Sequence, residues 1–276
     1  MFNFLLSIHW DIKPEIFHIG GFGLRYYTLC FMLAFFLSYV IMLSIFKKEG
    51  KSQELLDKLT IYVFVGTVLG ARLGHCLFYE FDYYRHHLWE MILPIRMVNG
   101  SISFTGYQGL ASHGGAIGII VSALLFCKKT KINFWWIADR LVIVAALSGA
   151  FIRTGNFFNS EIIGTPSNLP WAVVFAQIDQ VARHPAQLYE ALGYLLIFVF
   201  LYNLYKKGKH SKPALLFGYF MVLVFGLRFF MEFVKENQEA FENSMALNMG
   251  QLLSLPFIAL GLYLIFRKSD SVSHKQ

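Results

Sequence analysis

Charge is scarce in this chain. Charged residues make up 15% of it against 56% hydrophobic residues, too few polar side chains to cover an ordinary soluble domain of this length. Cysteine is scarcer still. Cys30, Cys76 and Cys127 each sit inside an apolar run and none stands at metal-ligand spacing. That pattern argues against a disulfide framework and a zinc site, and leaves buried, inert thiols. His-Glu-x-x-His and Gly-x-Ser-x-Gly are missing, and no nucleotide-binding fingerprint stands out, so an intramembrane metalloprotease, a serine protease and hydride-transfer or ATP-driven chemistry are disfavoured. No metal or other cofactor is expected. With no internal repeat, low-complexity run or soluble-domain boundary, one membrane domain over residues 1–276 is the simplest organisation, ending in a short polar tail from Ser269.

Long apolar runs are what the chain does have. A membrane-crossing helix needs about 20 mostly apolar residues, and seven stretches meet that need: Tyr27–Phe46, Leu59–Tyr79, Leu110–Cys127, Phe134–Ile152, Ala186–Tyr205, Ala214–Val234 and Leu247–Phe266. The expected fold is all-α, a polytopic membrane helix bundle with seven transmembrane helices. Lysines cluster at Lys47, Lys48, Lys51 and Lys58, at Lys128, Lys129 and Lys131, and at Lys206, Lys207, Lys209 and Lys212; Arg267, Lys268 and Lys275 follow the last span. The alternate connections are poorer in Lys and Arg, so the positive-inside rule puts the N-terminus outside and the C-terminus in the cytoplasm.

The formal charge of +7 is spread over these short clusters rather than along one face. Anionic lipid and membrane orientation explain it better than nucleic acid. The start carries no basic cluster before its apolar run, and Lys13 and Pro14 interrupt it, so a cleaved signal peptide is not expected. The outer side receives the long connections Glu80 to Gly109, Arg153 to Pro185 and Lys235 to Ala246, where a site built from several segments would sit. Tyr83, Tyr84, Trp89, Trp171 and Phe175 suit the headgroup level.

Polar groups concentrate between Gly149 and Gly164, where Arg153, Asn156, Asn159 and Glu161 follow the end of an apolar run. An arginine can pair bidentately with phosphate, amides can hold hydroxyl or ester oxygens, and glycines admit close approach. A phospholipid headgroup would fit. An interfacial loop with a snorkelling arginine and turn-satisfying asparagines fits the same residues.

Arg72, His75, His113, Asp139, Arg140, Glu190, Arg228 and Glu232 fall within or at the edges of spans, where an ionisable group costs several kcal/mol unless paired or hydrated. Asp139 and Arg140 read as structural pairing groups between helices. His113 opens a helix whose Ala116, Gly118 and Ala123 would form a small packing face; it is either a general base or a packing histidine. Gln187 and Glu190 share a helix face and read as orienting groups. Arg228 is either a phosphate ligand or one half of an intrahelical pair with Glu232 four residues on.

Gly149 to Gly164 fits the pattern Gly-x-x-x-Arg-x-Gly-Asn-Phe-x-Asn-x-Glu-x-x-Gly. It is joined in order by Leu24-Arg25-Tyr26-Tyr27, Gly70-Ala71-Arg72-Leu73-Gly74, His113-Gly114-Gly115, Arg183 through Glu190, and Met249 through Pro256. In these motifs, which run through nearly the whole chain, the sequence resembles the prolipoprotein diacylglyceryl transferases, bacterial membrane enzymes that lipidate lipoprotein precursors. It departs from them at Val224 and Phe225, where a tyrosine is common, and at Leu110-Ala111-Ser112, where Met-Ser-Phe is more usual.

The resemblance implies transfer of the diacylglyceryl group of phosphatidylglycerol to the lipobox cysteine of a prolipoprotein signal peptide. A thioether forms and glycerol 1-phosphate leaves, the first step of lipoprotein maturation. It implies a multi-pass protein of the bacterial cytoplasmic (inner) membrane in contact with membrane lipid, with no nucleic acid partner. On the same basis Arg153 and Arg228 take the phosphate, and His113 is the leading candidate for activating the thiol. Asn156, Asn159, Glu161 and Gly164 shape the headgroup pocket, Tyr27 orders the lipid or the nucleophile, and Arg72, Gln187 and Glu190 complete the substrate-binding set.

Overall fold

Residues 8–19, 22–93, 95–98, 101–104, 109–236 and 245–268 are described by a computed structural model. The first seven residues, the tail from Ser269 and most of the connection from Lys235 to Ala246 lie outside them, so the expectations made for those segments do too.

The framework is helical. Its long helices are α1 (Tyr26–Lys48), α2 (Gln53–Phe78), α5 (Ser112–Thr130), α6 (Phe134–Phe158), α7 (Ala186–Lys206), α8 (Leu215–Met231) and α9 (Met249–Phe266), with the short α3 (Phe81–Tyr84) and α4 (Leu88–Ile92) between α2 and α5. Each expected span overlaps one long helix. Among the described residues six helices are long and apolar enough to cross a membrane, which makes this a polytopic helical membrane protein. α5 is not among the six: its polar opening and the closing Lys128 and Lys129 dilute its apolar run.

Local sequence explains where several helices begin. Ser52 caps α2, its hydroxyl accepting from the Leu55 amide at 3.3 Å. α9 opens on a capping box, in which Asn248 accepts from the Gln251 amide at 2.9 Å and the Gln251 side chain accepts from the Asn248 amide at 3.1 Å. α8 has no such residue, because Pro213 and Ala214 precede it. Its cap comes from α6: the fully buried Asp139 carboxylate accepts from the Ala214 and Phe217 amides, both at 2.8 Å. Asp139 is structural, as expected, but through a helix start rather than a purely ionic pair.

Seven short strands lie among the described residues, which an all-α expectation leaves out. β1 (Ile8–Trp10) runs parallel to β6 (Val173–Phe175), which pairs antiparallel with β7 (Ala182–Arg183). β2 (Glu15–Ile19) with β3 (Phe22–Arg25), and β4 (Ile95–Val98) with β5 (Ser101–Phe104), form two hairpins. Strands of two to five residues are too short for an alternating pattern to stand out against long apolar helices.

The chain divides into two compact units, Met1–Met42 with Ala138–Gln276, and Leu43–Ile137. In the smaller, α2 and α5 meet backbone to backbone. A Cβ on Gly70 would lie 2.4 Å from the Gly114 carbonyl oxygen, and one on Gly118 would lie 1.9 Å from that of Gly66. The packing face of α5 is therefore Gly114, Gly118 and Ser122, while Ala116 is exposed and off it. In the larger unit, Phe157 at the end of α6 packs with Val173, Phe175, Trp10 and Ile163. That cluster anchors the sheet of β1, β6 and β7 beside the segment richest in polar residues.

Candidate active site

α6 runs six residues past the expected end at Ile152. Arg153 and Asn156 therefore stand on its last turns rather than in a loop, three residues apart on one face. Beyond Phe158 the chain doubles back: the Asn159 amide bonds the Gly155 carbonyl at 3.1 Å and the Glu161 amide bonds the Asn156 carbonyl at 3.0 Å. Ser160 and Ile162 take φ of 54° and 55° to make this turn, a conformation that is strained for a β-branched residue. The turn delivers the Glu161 carboxylate onto both asparagines, with Asn156 Nδ2 at 3.1 Å and Asn159 Nδ2 at 2.7 Å. From α7, Gln187 Nε2 donates to the Glu161 carbonyl at 2.5 Å.

With their amide nitrogens used in this way, the oxygens Asn156 Oδ1, Asn159 Oδ1 and Gln187 Oε1 are buried and lack a hydrogen-bond partner among the described residues. Such acceptors fit a ligand that brings hydroxyl donors. Tyr27 closes in from α1. A Cβ on Gly155 would lie 2.8 Å from its ring, so the glycine between Arg153 and Asn156 is what lets the tyrosine reach this face.

A chain of ion pairs extends from Arg153. Its Nε lies 3.0 Å from Glu190, whose fully buried carboxylate also meets Lys235 Nζ at 2.8 Å. Lys235 lies 3.4 Å from Glu232, and Glu232 lies 3.8 Å from Arg228 Nε. Asn248 Nδ2 donates to the same Glu232 carboxylate at 3.1 Å. The pairing of Arg228 with Glu232 that the sequence allowed is thus present but long, and it belongs to a larger network. Gly164 supports the network through its backbone. It bridges Lys235, and the Thr165 amide bonds the Val234 carbonyl at 3.0 Å. A Cβ on Gly164 would lie 2.4 Å from the His184 carbonyl, so only glycine fits where that segment passes.

The larger unit therefore brings together Tyr27, Arg153, Asn156, Asn159, Glu161, Gly164, Gln187, Glu190 and Arg228. Lys235 and Asn248 join them without having been singled out from sequence. Lys235 reads there as one loop cation among many, and its one signal is its place three residues after Glu232. The smaller unit holds Arg72 and His113. Arg72 is buried, donating through Nη2 to the Tyr84 hydroxyl at 3.1 Å and to the Glu90 carbonyl at 2.6 Å, with its guanidinium over the Tyr84 ring. Those contacts tie α2 to α3 and α4. His113 is exposed in the first turn of α5.

A family model for prolipoprotein diacylglyceryl transferase matches residues 14–267. The chain belongs to the prolipoprotein diacylglyceryl transferase family. Relatives named phosphatidylglycerol–prolipoprotein diacylglyceryl transferase include one from Bacteroides fragilis, 46% identical over 96% of this chain and 97% of the relative. Another, from Tolumonas auensis, is 43% identical over 94% of this chain and 96% of the relative. A third, from Porphyromonas gingivalis, is 37% identical over 94% of each. The match to this transferase family runs through both units and covers every site residue named above.

Proposed function

We propose that this chain transfers the diacylglyceryl group of phosphatidylglycerol to the lipobox cysteine thiol of prolipoprotein signal peptides, in the bacterial cytoplasmic membrane. The observation that carries the reading is the charge of the ion-pair chain. Arg153, Lys235 and Arg228 set three cations against the two carboxylates of Glu190 and Glu232. Along that chain the cations outnumber the carboxylates, and the neighbouring Glu161 carboxylate is taken up by the Asn156 and Asn159 amides. The two guanidinium groups of the chain suit the oxygens of a phosphodiester. The buried amide oxygens nearby supply acceptors for the hydroxyls of a glycerol headgroup.

In the reaction the substrate sulfur, as thiolate, attacks the glyceryl carbon that carries the phosphodiester oxygen. A carbon–sulfur bond forms, the carbon–oxygen bond breaks, and the electron pair leaves on the phosphate of glycerol 1-phosphate. Arg153 and Arg228 stabilise that charge as it develops, where a low dielectric makes each contact strong. A thiol of pKa about 8.5 must first lose its proton, and the His113 imidazole is the proposed acceptor. Asn156, Asn159, Glu161 and Gly164 shape the headgroup site, with Tyr27 against it. Gln187 and Glu190 hold Glu161 and Arg153 in place.

The unbroken family match from 14 to 267 supports treating the chain as one transferase domain. The lysine clusters support an outside N-terminus and a cytoplasmic C-terminus, with α5 as a seventh crossing. The test is purified protein in phosphatidylglycerol liposomes with a lipobox peptide, read by mass spectrometry. A diacylglyceryl mass added to the cysteine with release of glycerol phosphate is expected. Lipid binding without product in folded protein would make the chain a lipid-binding protein instead.

A further inference from the structure

One ring contact and one hydroxyl contact single out a residue that neither the motifs nor the reaction above uses. Tyr194 lies on α7 one turn beyond Glu190, so both project from the same helix face. Its ring lies over Gly149 on α6, where a Cβ would lie 3.2 Å from the ring carbon Cγ. Its hydroxyl is hydrogen-bonded to Arg153. The neighbouring Gly193 packs against Leu227, since a Cβ there would lie 2.5 Å from Leu227 Cδ2. That close approach of α7 to α8 brings Tyr194 within the electrostatic reach of Arg228, the residue after Leu227.

We infer that Tyr194 is a positioning residue for diacylglyceryl transfer, fixing the Arg153 guanidinium so that its free edge faces the substrate phosphodiester. The inference rests on the proposed transfer activity. The Glu190 contact at Nε by itself leaves the guanidinium plane free to turn about that contact. A second acceptor on the same helix removes that freedom. A neutral hydroxyl does so without adding a second carboxylate beside Glu190 to compete with the phosphodiester for Arg153.

The test compares Tyr194→Phe with wild type for thermal stability in detergent, for phosphatidylglycerol affinity, and for kcat and KM in the transfer assay. Phe keeps the ring on Gly149 and deletes the hydroxyl. A folded protein with a small drop in unfolding temperature and a fall in kcat of roughly tenfold or more is expected, the scale of a misplaced catalytic group. Placed on Arg153→Lys, the same change should cost little further, because an ammonium has no plane to orient. Wild-type kcat in a stable Tyr194→Phe protein would overturn the inference, as would an equal penalty in both backgrounds. If wild type binds lipid but forms no product, the transfer reading fails on its own. Tyr194 is then judged on affinity, and unchanged binding in Tyr194→Phe would overturn its positioning role as well.

Discussion

Arg153 shows how one side chain serves both structure and chemistry. It holds Glu190 at 3.0 Å while standing one turn from the Asn156 amide that holds Glu161. Arg153→Ala should lower turnover by about 100-fold or more, the scale of removing a donor aimed at developing charge, while the helical circular dichroism of the inserted protein stays at wild type. Full activity would remove the arginine from the proposed chemistry. Lys235 is expected to behave differently. It is buried between Glu190 at 2.8 Å and Glu232 at 3.4 Å, and Lys235→Ala would leave both carboxylates short of a partner. A loss of about 3 to 5 kcal/mol is expected for breaking such a buried pair, visible as a lower unfolding temperature in detergent. The motif residues between Gly149 and Gly164 were readable because they crowd into one short stretch. Lys235 was not, since its meaning depends on a carboxylate 45 residues away in sequence.

At the scale of elements, helix starts and loop clasps carry the dependence on distant residues. α8 is capped by Asp139 from α6, so Asp139→Ala should strip two buried amides of their acceptor. A destabilisation of about 1 to 3 kcal/mol follows, and thermal unfolding in detergent measures it; an unchanged midpoint would contradict the capping role. Outside the membrane segments, β7 is clasped by Arg183, which pairs with Asp179 at 2.6 Å and with Glu236. The hydrogen bond from Arg183 holds the Asp179 carboxyl below its ordinary range. Its stabilisation is present above the ordinary carboxylate pKa of about 4 and is lost as pH falls through the depressed value. Unfolding midpoints of wild type and Asp179→Asn should therefore differ near neutrality and converge on acidification. A gap that stays constant to pH 3 would rule this pair out as the source. Apolar runs located all seven long helices, but the end of α6 was misjudged by six residues. Hydropathy marks where a chain leaves lipid, whereas the backbone keeps its helical hydrogen bonds as long as polar side chains have partners.

For the whole molecule, the lysine clusters make orientation a prediction that can be checked in cells. A cysteine introduced by Trp171→Cys should react with a membrane-impermeant maleimide in intact cells, and one introduced by Lys207→Cys only after permeabilisation. The reverse pattern would invert the topology. Family membership rests on a match from 14 to 267, and motif order along the chain already pointed to it.

The sequence by itself determined that this is a polytopic helical protein of this transferase family, because long apolar runs and a dense polar signature are local properties of the chain. Only the tertiary structure decided which charges compensate one another. It linked Arg153 to Arg228 through Glu190, Lys235 and Glu232, lent α8 its cap from α6, and set Tyr194 against Arg153. Arg153 with Glu190, Glu190 with Lys235 and the Asp139 carboxylate with the α8 amides each join groups far apart in sequence, and a buried charge takes its partner from whatever packing brings within reach.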